Sequence, residues 1–178
     1  MKKTPFILLL LAIVNFGFAQ YKPVDQGSSI DFKIKNFGFN VSGSFKGLQG
    51  TIQFDPANPG TASFDVSIDA NTINTDNNMR DDHLREDSYF DVKNFPRIHF
   101  VSTTVSNSNK SGVFMISGKL TIKKTTKEIS FPFTATASGG GYLFKGTFKI
   151  NRRDFEVGGS STISDNLEMN LNVQARKN

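Results

Sequence analysis

At 178 residues, the chain is long enough for a single domain that buries a core or encloses a cavity. It carries 21 Lys and Arg against 16 Asp and Glu, a formal net charge of +5. The basic residues are scattered along the chain instead of clustered, so we expect no nucleic-acid partner. The absence of cysteine excludes disulfide bonds and a thiol nucleophile.

Residues 1–19 predict a cleaved signal peptide. A pair of lysines follows the initial Met, residues 6–14 form an apolar run, and small side chains lie just before a cleavage site at Ala19. The apolar run is shorter than the about 20 residues that a membrane-spanning helix needs. We therefore expect a mature domain of residues 20–178, without a transmembrane segment or a lipoprotein anchor, in the periplasm or outside the cell.

Eight segments alternate apolar and polar residues with the period of two that is typical of strands with one buried face. The last segment shows the pattern most cleanly, because Leu167, Met169 and Leu171 alternate with polar residues. The second segment contains three internal glycines, which predicts one strongly bent strand or two short ones. In chain order, the segments are residues 29–35, 40–54, 62–70, 97–105, 113–122, 127–137, 142–150 and 167–177.

Residues 77–90 interrupt this strand period. Met79, His83 and Leu84 recur at helical spacing within a run of charged residues, which predicts one short helix across the end of a sheet. The strands and their short turns predict an all-β, antiparallel fold, either a sandwich or a barrel. Strand lengths of about seven to ten residues, glycines inside strands and a strand count near eight favour a barrel with room for one small ligand.

Several short motifs follow one another in a fixed order along the chain. They are Val41-x-Gly43-x-Phe45, Asn74-Thr75, Arg80-Asp81, His83-Leu84, Phe90-Asp91-Val92, Pro96, Ile98, Phe100, Gly118-Lys119-Leu120-Thr121-Ile122 and Asn151-Arg152-Arg153-Asp154-Phe155. In this order they resemble the YceI-like family of bacterial polyisoprenoid-binding proteins over nearly the whole mature chain. The sequence departs from the family at Lys123-Lys124, where a His-Gly pair is usual, and at Glu156, where glycine is usual. The resemblance implies an eight-stranded, lipocalin-like barrel with one helix.

Phenylalanine dominates the aromatic residues, with 18 copies against three tyrosines and no tryptophan. One interpretation is that the rings fill an ordinary β core. The other is that they line an apolar tunnel, in which each buried CH₂ group of a ligand contributes roughly 0.8 kcal/mol to binding. In that case we expect a bound isoprenoid or quinone-like lipid and no required cofactor. The residues predicted to line the cavity are Phe32, Ile34, Phe64, Val66, Ile98, Phe100, Phe131, Phe133, Phe144 and Phe148.

Polar side chains around the predicted helix form a second candidate site, at the mouth of the barrel. Their donors suit the carboxylate, amide or pyrophosphate head group of a lipid. The residues are Asn74, Thr75, Arg80, Asp81, His83 and Arg153. Alternatively, Arg80 and Asp81 pair with each other, with Arg153 or with backbone groups to fix the helix, and His83 gates the mouth or is structural.

A rival hypothesis is a metal-dependent enzyme or stress protein. Asp81, Asp82, His83 and His99 offer carboxylate and imidazole ligands that zinc or iron accepts. The histidines lack metal-ligand spacing, however, and the chain has no G-x-S-x-G nucleophile motif. We therefore predict neither an enzyme nor a metal site, but a protein that sequesters or transports a long-chain amphiphile. A plain β domain with a filled core stays open, as do the identity of the lipid and a homodimer.

Overall fold

The structure, a computed structural model, describes residues 19–159 and 162–177. Residues 1–18 lie outside the described residues, so the signal peptide and its cleavage after Ala19 stay predictions. The strands are β1 (Gln20–Asn36), β2 (Phe39–Gln53), β3 (Ser63–Asn74), β4 (Arg97–Asn107), β5 (Val113–Ile122), β6 (Thr125–Ser138), β7 (Gly141–Asn151) and β8 (Ile163–Lys177). The helix α1 is Asn78–Arg85, and 3₁₀ turns span Pro59–Thr61 and Arg152–Phe155.

The strands form one closed antiparallel barrel. Each strand pairs with the next along the chain, and β8 pairs back with β1, where Phe32 lies opposite Met169. The predicted eight-stranded antiparallel barrel with one short helix is therefore confirmed. The strands contain 10 to 17 residues. β2 and β5 have the predicted lengths, and the other six strands are longer than predicted, because their ladders continue through polar residues and glycines that weaken the alternation.

Alternation along each strand builds the interior of the barrel. In β5, Phe114, Ile116, Gly118, Leu120 and Ile122 are buried, whereas the residues between them are more exposed. Successive side chains of a strand point to opposite faces, so a closed sheet turns one set inward and the other toward solvent. The buried set of all eight strands forms the core.

Strand β2 is a single bent strand, one of the two predicted outcomes. Its pairing with β3 shifts register on both sides of Lys46. The carboxylate of Asp25 accepts hydrogen bonds from the backbone N–H groups of Gly47 and Leu48, at 3.0 and 2.9 Å. These bonds satisfy the N–H groups that have no backbone acceptor in the irregular ladder between β1 and β2.

Aromatic rings fill the barrel end that carries the β2–β3, β4–β5 and β6–β7 connections. Phe54, directly after β2, lies at the centre, and its ring centroid is 5.2–6.3 Å from those of five other rings. Edge-to-face contacts of this kind contribute about 0.5–1.5 kcal/mol each beyond the area that they bury. We call this the plug end and the cluster the aromatic plug; its members are Phe54, Phe64, Phe114, Phe133, Tyr142 and Phe144.

The opposite end, called the helix end, carries α1 in the connection between β3 and β4. The helix begins after Asn77, whose side-chain oxygen accepts a hydrogen bond from the Arg80 N–H at 3.0 Å. Leu84 of the helix and Phe90 after it pack on the interior side chains of this end. Among the described residues, no helix has the length and apolar character needed to span a membrane.

The ladder between β6 and β7 stops halfway along the barrel. Its last pair is Phe133 opposite Gly146, next to Pro132, whose missing N–H removes a donor. Beyond this pair, the rings of Phe131 and Phe148 stack across the two strands with centroids 4.4 Å apart. The β6–β7 seam is this unpaired stretch, residues 125–132 and 147–151. Side-chain packing closes the wall there in place of backbone hydrogen bonds.

Candidate functional site

The barrel encloses an apolar cavity of about 170 Å³ between the aromatic plug and the helix end. All eight strands contribute to its wall, and so does Phe90 from the segment after α1. Phe, Ile, Leu, Val and Met supply most of the lining, with Ser67, His99 and Lys145 as its polar members. The core is therefore not completely filled, which argues against a plain β domain with a filled core.

Eight of the ten residues predicted to line the cavity do so. They are Phe64, Val66, Ile98, Phe100, Phe131, Phe133, Phe144 and Phe148. Phe32 and Ile34 face the interior but lie in the packed cluster at the helix end, where the Phe32 ring lies 5.7 Å from that of Phe45. The contact of any of these residues with a ligand stays a prediction.

Glycines inside three strands make room for aromatic rings. Phe32 covers Gly43, Phe100 covers Gly118, and Phe131 covers Gly146. A Cβ atom on Gly118 would lie 2.5 Å from the Phe100 ring, which only the absence of a side chain allows. The rings of Phe100 and Phe131 thus lie against the wall, and the space at the centre of the barrel stays open.

Phe45 and Phe90 line the cavity although the sequence analysis did not select them as cavity residues. Their rings meet edge to face with centroids 5.5 Å apart, which joins the segment after α1 to the wall of the barrel. In the sequence, the position of each ring in a family motif, Val41-x-Gly43-x-Phe45 and Phe90-Asp91-Val92, could have indicated that the ring lies at the cavity. Together they close the cavity toward the helix end.

The cavity approaches the outer surface where the β6–β7 seam begins. A polar groove of about 350 Å³ crosses the outside of the barrel at Pro132, Thr147 and Asn170. Phe133 and Gly146, the last pair of the ladder, border both this groove and the cavity. Only a thin part of the wall therefore separates the apolar interior from solvent there.

Three of the predicted mouth residues form one hydrogen-bonded unit. The buried Asp81 carboxylate accepts hydrogen bonds from the backbone N–H and the hydroxyl of Thr75. The Arg80 guanidinium donates to the Thr75 hydroxyl and to the Thr75 carbonyl, both at 2.7 Å. Of the alternatives considered for Arg80 and Asp81, bonding to backbone groups is therefore confirmed. The unit ties α1 to the end of β3.

The other mouth residues lie closer to solvent. Asn74 is exposed and accepts a hydrogen bond from the Asp76 N–H at 2.8 Å. The ring of His83 is exposed and lies edge to face on Tyr89, with Nδ1 3.0 Å from the Glu86 carboxylate. Arg153 is exposed in the 3₁₀ turn after β7. These side chains surround the helix end, and their role in binding a head group stays a prediction.

The candidate metal ligands have separate partners. His83 lies against Glu86, and His99 on β4 places Nε2 at 2.6 Å from the Asp65 carboxylate. Asp81 is bonded to Thr75. Within residues 19–159 and 162–177, no group of three or more His, Asp or Glu side chains is placed to hold a metal ion. No observation therefore favours the metal-dependent alternative.

Arg152, which the sequence analysis did not select, is the buried arginine of the helix end. Its guanidinium donates to the carbonyl oxygens of Val157, Gly159 and Ser164 and pairs with Asp165 at 3.0 Å. It therefore organises the connection from β7 to β8. The neighbouring Arg153 is exposed. The sequence of two adjacent arginines in a loop does not show which of them is buried.

The chain is similar to known proteins over most of its length. A family model described as YceI-like domain matches residues 21–175. A UPF0312 protein of Pseudomonas savastanoi is 31% identical over 156 residues, covering 84% of this chain and 81% of the relative. A UPF0312 protein of Pseudomonas putida is 29% identical and covers 99% of both chains.

Solved structures share the fold. BcnA of Burkholderia cenocepacia has a TM-score of 0.77 at 26% identity and covers 82% of this chain and 94% of its own. The YCEI protein of Campylobacter jejuni has a TM-score of 0.70 at 27% identity and covers 98% and 100%. A polyisoprenoid binding domain from Saccharophagus degradans has a TM-score of 0.71 at 12% identity and covers 91% and 100%.

Proposed function

Because the chain belongs to the YceI-like family, we propose that it is a periplasmic or secreted lipid-binding protein. It holds the apolar chain of an isoprenoid, a quinone or a similar amphiphile inside the barrel for sequestration or transport, without covalent chemistry. The observation that carries this proposal is the cavity inside the barrel, whose wall is almost entirely apolar. Such a wall rewards the burial of CH₂ groups and offers few partners to a polar substrate.

The size of the cavity limits what it holds without rearrangement. A cavity of about 150 Å³ takes a guest of the size of benzene, and the cavity here has about 170 Å³. A prenyl chain of several units therefore requires the interior to expand. The aromatic plug is tightly packed, so we expect expansion at the other rings. Phe131 and Phe148 stack across the β6–β7 seam, where no ladder bonds join the two strands.

The polar head group of the lipid would then lie at the helix end. The exposed side chains of His83 and Arg153 supply donors there, whereas Thr75, Arg80 and Asp81 hold the turn that carries α1. The polyisoprenoid binding domain of Saccharophagus degradans shares this fold. Prenyl alcohols, prenyl phosphates and quinones are therefore the first ligands to test.

Identification of the bound molecule tests the proposal directly. The protein is purified without added ligand and extracted into organic solvent, and the extract is analysed by mass spectrometry beside that of an unrelated protein from the same cells. We expect a long-chain amphiphile enriched in the extract of this protein. An extract equal to that of the unrelated protein, together with no binding of a hydrophobic fluorescent dye, would contradict the proposal.

A matched pair of variants places the binding site. Phe148→Glu puts a charge into the lumen, and Val101→Glu puts the same charge on the outer face of β4. We expect Phe148→Glu to lose dye binding, because an unpaired carboxylate in an apolar cavity is strongly unfavourable. Val101→Glu should bind the dye with the same affinity as the wild-type protein. Equal binding by the two folded variants would place the site outside the barrel.

A further inference from the structure

The turn between β1 and β2 presents two phenylalanine side chains to solvent. Phe37 and Phe39 are 72% and 78% exposed, and only Gly38 separates them. β1 ends at Asn36 and β2 begins at Phe39, which leaves a two-residue loop. The hairpin tip, defined as residues 36–40, is therefore a small convex surface with two rings on it.

Phe37 contradicts the local preferences of its position. Phe37 and Gly38 have positive φ angles of 50° and 82°, the pattern of a type I′ turn. This turn favours Asn-Gly, and a bulky residue at positive φ is strained. The same side chain is also a large apolar group left in water. Residues that break local rules without a structural gain are expected where a protein binds something.

The hairpin tip is fixed in place and lies at the helix end of the barrel. The Phe37 N–H donates to the Thr162 carbonyl at 3.3 Å, and the Thr162 hydroxyl donates to the Asn36 side chain at 3.0 Å. Met79, in the first turn of α1, is 83% exposed at the same end. Of the large apolar side chains in the described residues, these two rings and Met79 are the most exposed. One end of the barrel therefore carries the apolar surface.

Charge and area indicate a lipid surface as the partner. Lys33 and Lys35 are exposed on β1 below the tip; Lys35 lies opposite Asn40, and Lys33 lies between Ser42 and Glu168. Without Lys2 and Lys3 of the predicted signal peptide, 19 Lys and Arg remain against 16 Asp and Glu, and this net charge of +3 attracts the domain to anionic head groups. The two rings expose roughly 300 Å², well below the about 800 Å² per partner of a stable protein interface.

We propose that the hairpin tip inserts Phe37 and Phe39 into the head-group region of a lipid bilayer and docks the helix end of the barrel on an anionic membrane. Aromatic side chains favour this interface, and the neighbouring lysines add attraction to anionic lipids. The docked barrel turns its helix end toward the source of the apolar ligand, so the biological meaning of the docking rests on the proposed function.

Vesicle flotation tests the proposal. The protein from residue 20 onward, which contains the complete barrel, is mixed with phosphatidylcholine vesicles that do or do not contain phosphatidylglycerol. We expect flotation with the anionic vesicles and weaker flotation at high salt. Phe37→Asn and Phe39→Thr should each reduce vesicle partitioning by about tenfold. Val101→Thr, an apolar-to-polar change on the outer wall, should have no effect.

Phe37→Asn separates a binding role from a structural one, because asparagine suits the turn better than phenylalanine does. We expect its thermal midpoint to equal or exceed that of the unchanged protein while its membrane binding falls. Phe39→Trp provides a second measurement, since the chain contains no other tryptophan. Its emission should shift to shorter wavelength on anionic vesicles. A constant emission wavelength, or equal flotation of Phe37→Asn and the unchanged protein, would overturn the proposal.

Two further measurements distinguish membrane docking from dimerisation through the tip and from the proposed lipid-binding function. A dimer in gel filtration that Phe37→Asn converts to a monomer would assign the tip to a second copy of the chain and overturn membrane docking. Dye binding in solution should be the same for Phe37→Asn and the unchanged protein, because the tip does not line the cavity. If neither the wild-type protein nor Phe37→Asn binds the dye, while the wild-type protein still floats with anionic vesicles, the proposed function is contradicted and the docking proposal stands.

Discussion

Removal of the Phe131 ring should lengthen the ligand that the barrel accepts. Phe131 is buried, lines the cavity, lies over Gly146 and stacks on Phe148. The change Phe131→Ala frees space for about six carbon atoms next to the existing cavity. Each additional CH₂ group of a ligand contributes about 0.8 kcal/mol, or about a fourfold gain in affinity, until the cavity is full.

The assay is displacement of a hydrophobic dye by linear alcohols of increasing chain length. In the unchanged protein, affinity should rise about fourfold per carbon and then level off. In Phe131→Ala, we expect the plateau at a chain roughly five carbons longer. The unliganded variant should also lose about 3–5 kcal/mol of unfolding free energy, of which ligand at 100 times its Kd restores about 2.7 kcal/mol.

Phe32→Ala is the matched control for this experiment. Phe32 is as buried as Phe131 and also faces the interior, but it lies in the packed cluster of the helix end and does not line the cavity. It should lose comparable stability without moving the plateau. A plateau that stays in place in folded Phe131→Ala, or that moves equally in both variants, would refute the assignment of the cavity as the binding site.

Three further predictions concern stability, each measured by urea unfolding followed by circular dichroism. Gly118→Ala should be strongly destabilised, since its Cβ would clash with the Phe100 ring and with backbone; stability equal to the unchanged protein would contradict the close packing. Asp81→Ala should lose about 1–3 kcal/mol, because the buried N–H and hydroxyl of Thr75 then lose their acceptor. Burial raises the pKa of the Tyr21 phenol above its ordinary value of 10.0, so the folded state holds this proton more tightly than the unfolded chain. The stability that this bound proton contributes is complete below pH 10 and is lost as the pH rises through the pKa of the folded state. When the pH is raised above 10, the free energy of unfolding should therefore fall less in Tyr21→Phe than in the wild-type protein.

The sequence alone could predict the class of fold because alternation is a local property. Residues such as Phe131 and Phe133, two positions apart, must share one face of a strand whatever lies around them. Eight such segments with short turns and internal glycines then favour closure. The helix could be predicted for the same reason, since Met79, His83 and Leu84 recur at helical spacing.

Position along the barrel axis could not be predicted, because a period of two determines the face of a strand and not its height. Phe32 and Phe131 were therefore both predicted to line the cavity, although Phe32 lies in the packed cluster of the helix end and only Phe131 lines the cavity. The aromatic plug escaped detection for a related reason. Phe54 follows a strand in an irregular connection, and its five ring contacts come from distant segments.

The free energy of the empty cavity favours a ligand-binding role over an accident of packing. At about 24 cal/mol per Å³, a cavity of this size costs about 4 kcal/mol, a large part of the 5–15 kcal/mol that stabilises a typical domain. The inward-facing glycines Gly118 and Gly146 present no side chain to the lumen. They let the rings of Phe100 and Phe131 lie against the wall, which preserves the open space. A barrel under selection for stability alone would readily acquire larger apolar side chains around the cavity. A lipid that fills the lumen offsets this cost, so retention of the cavity is expected of a protein that is occupied when it functions.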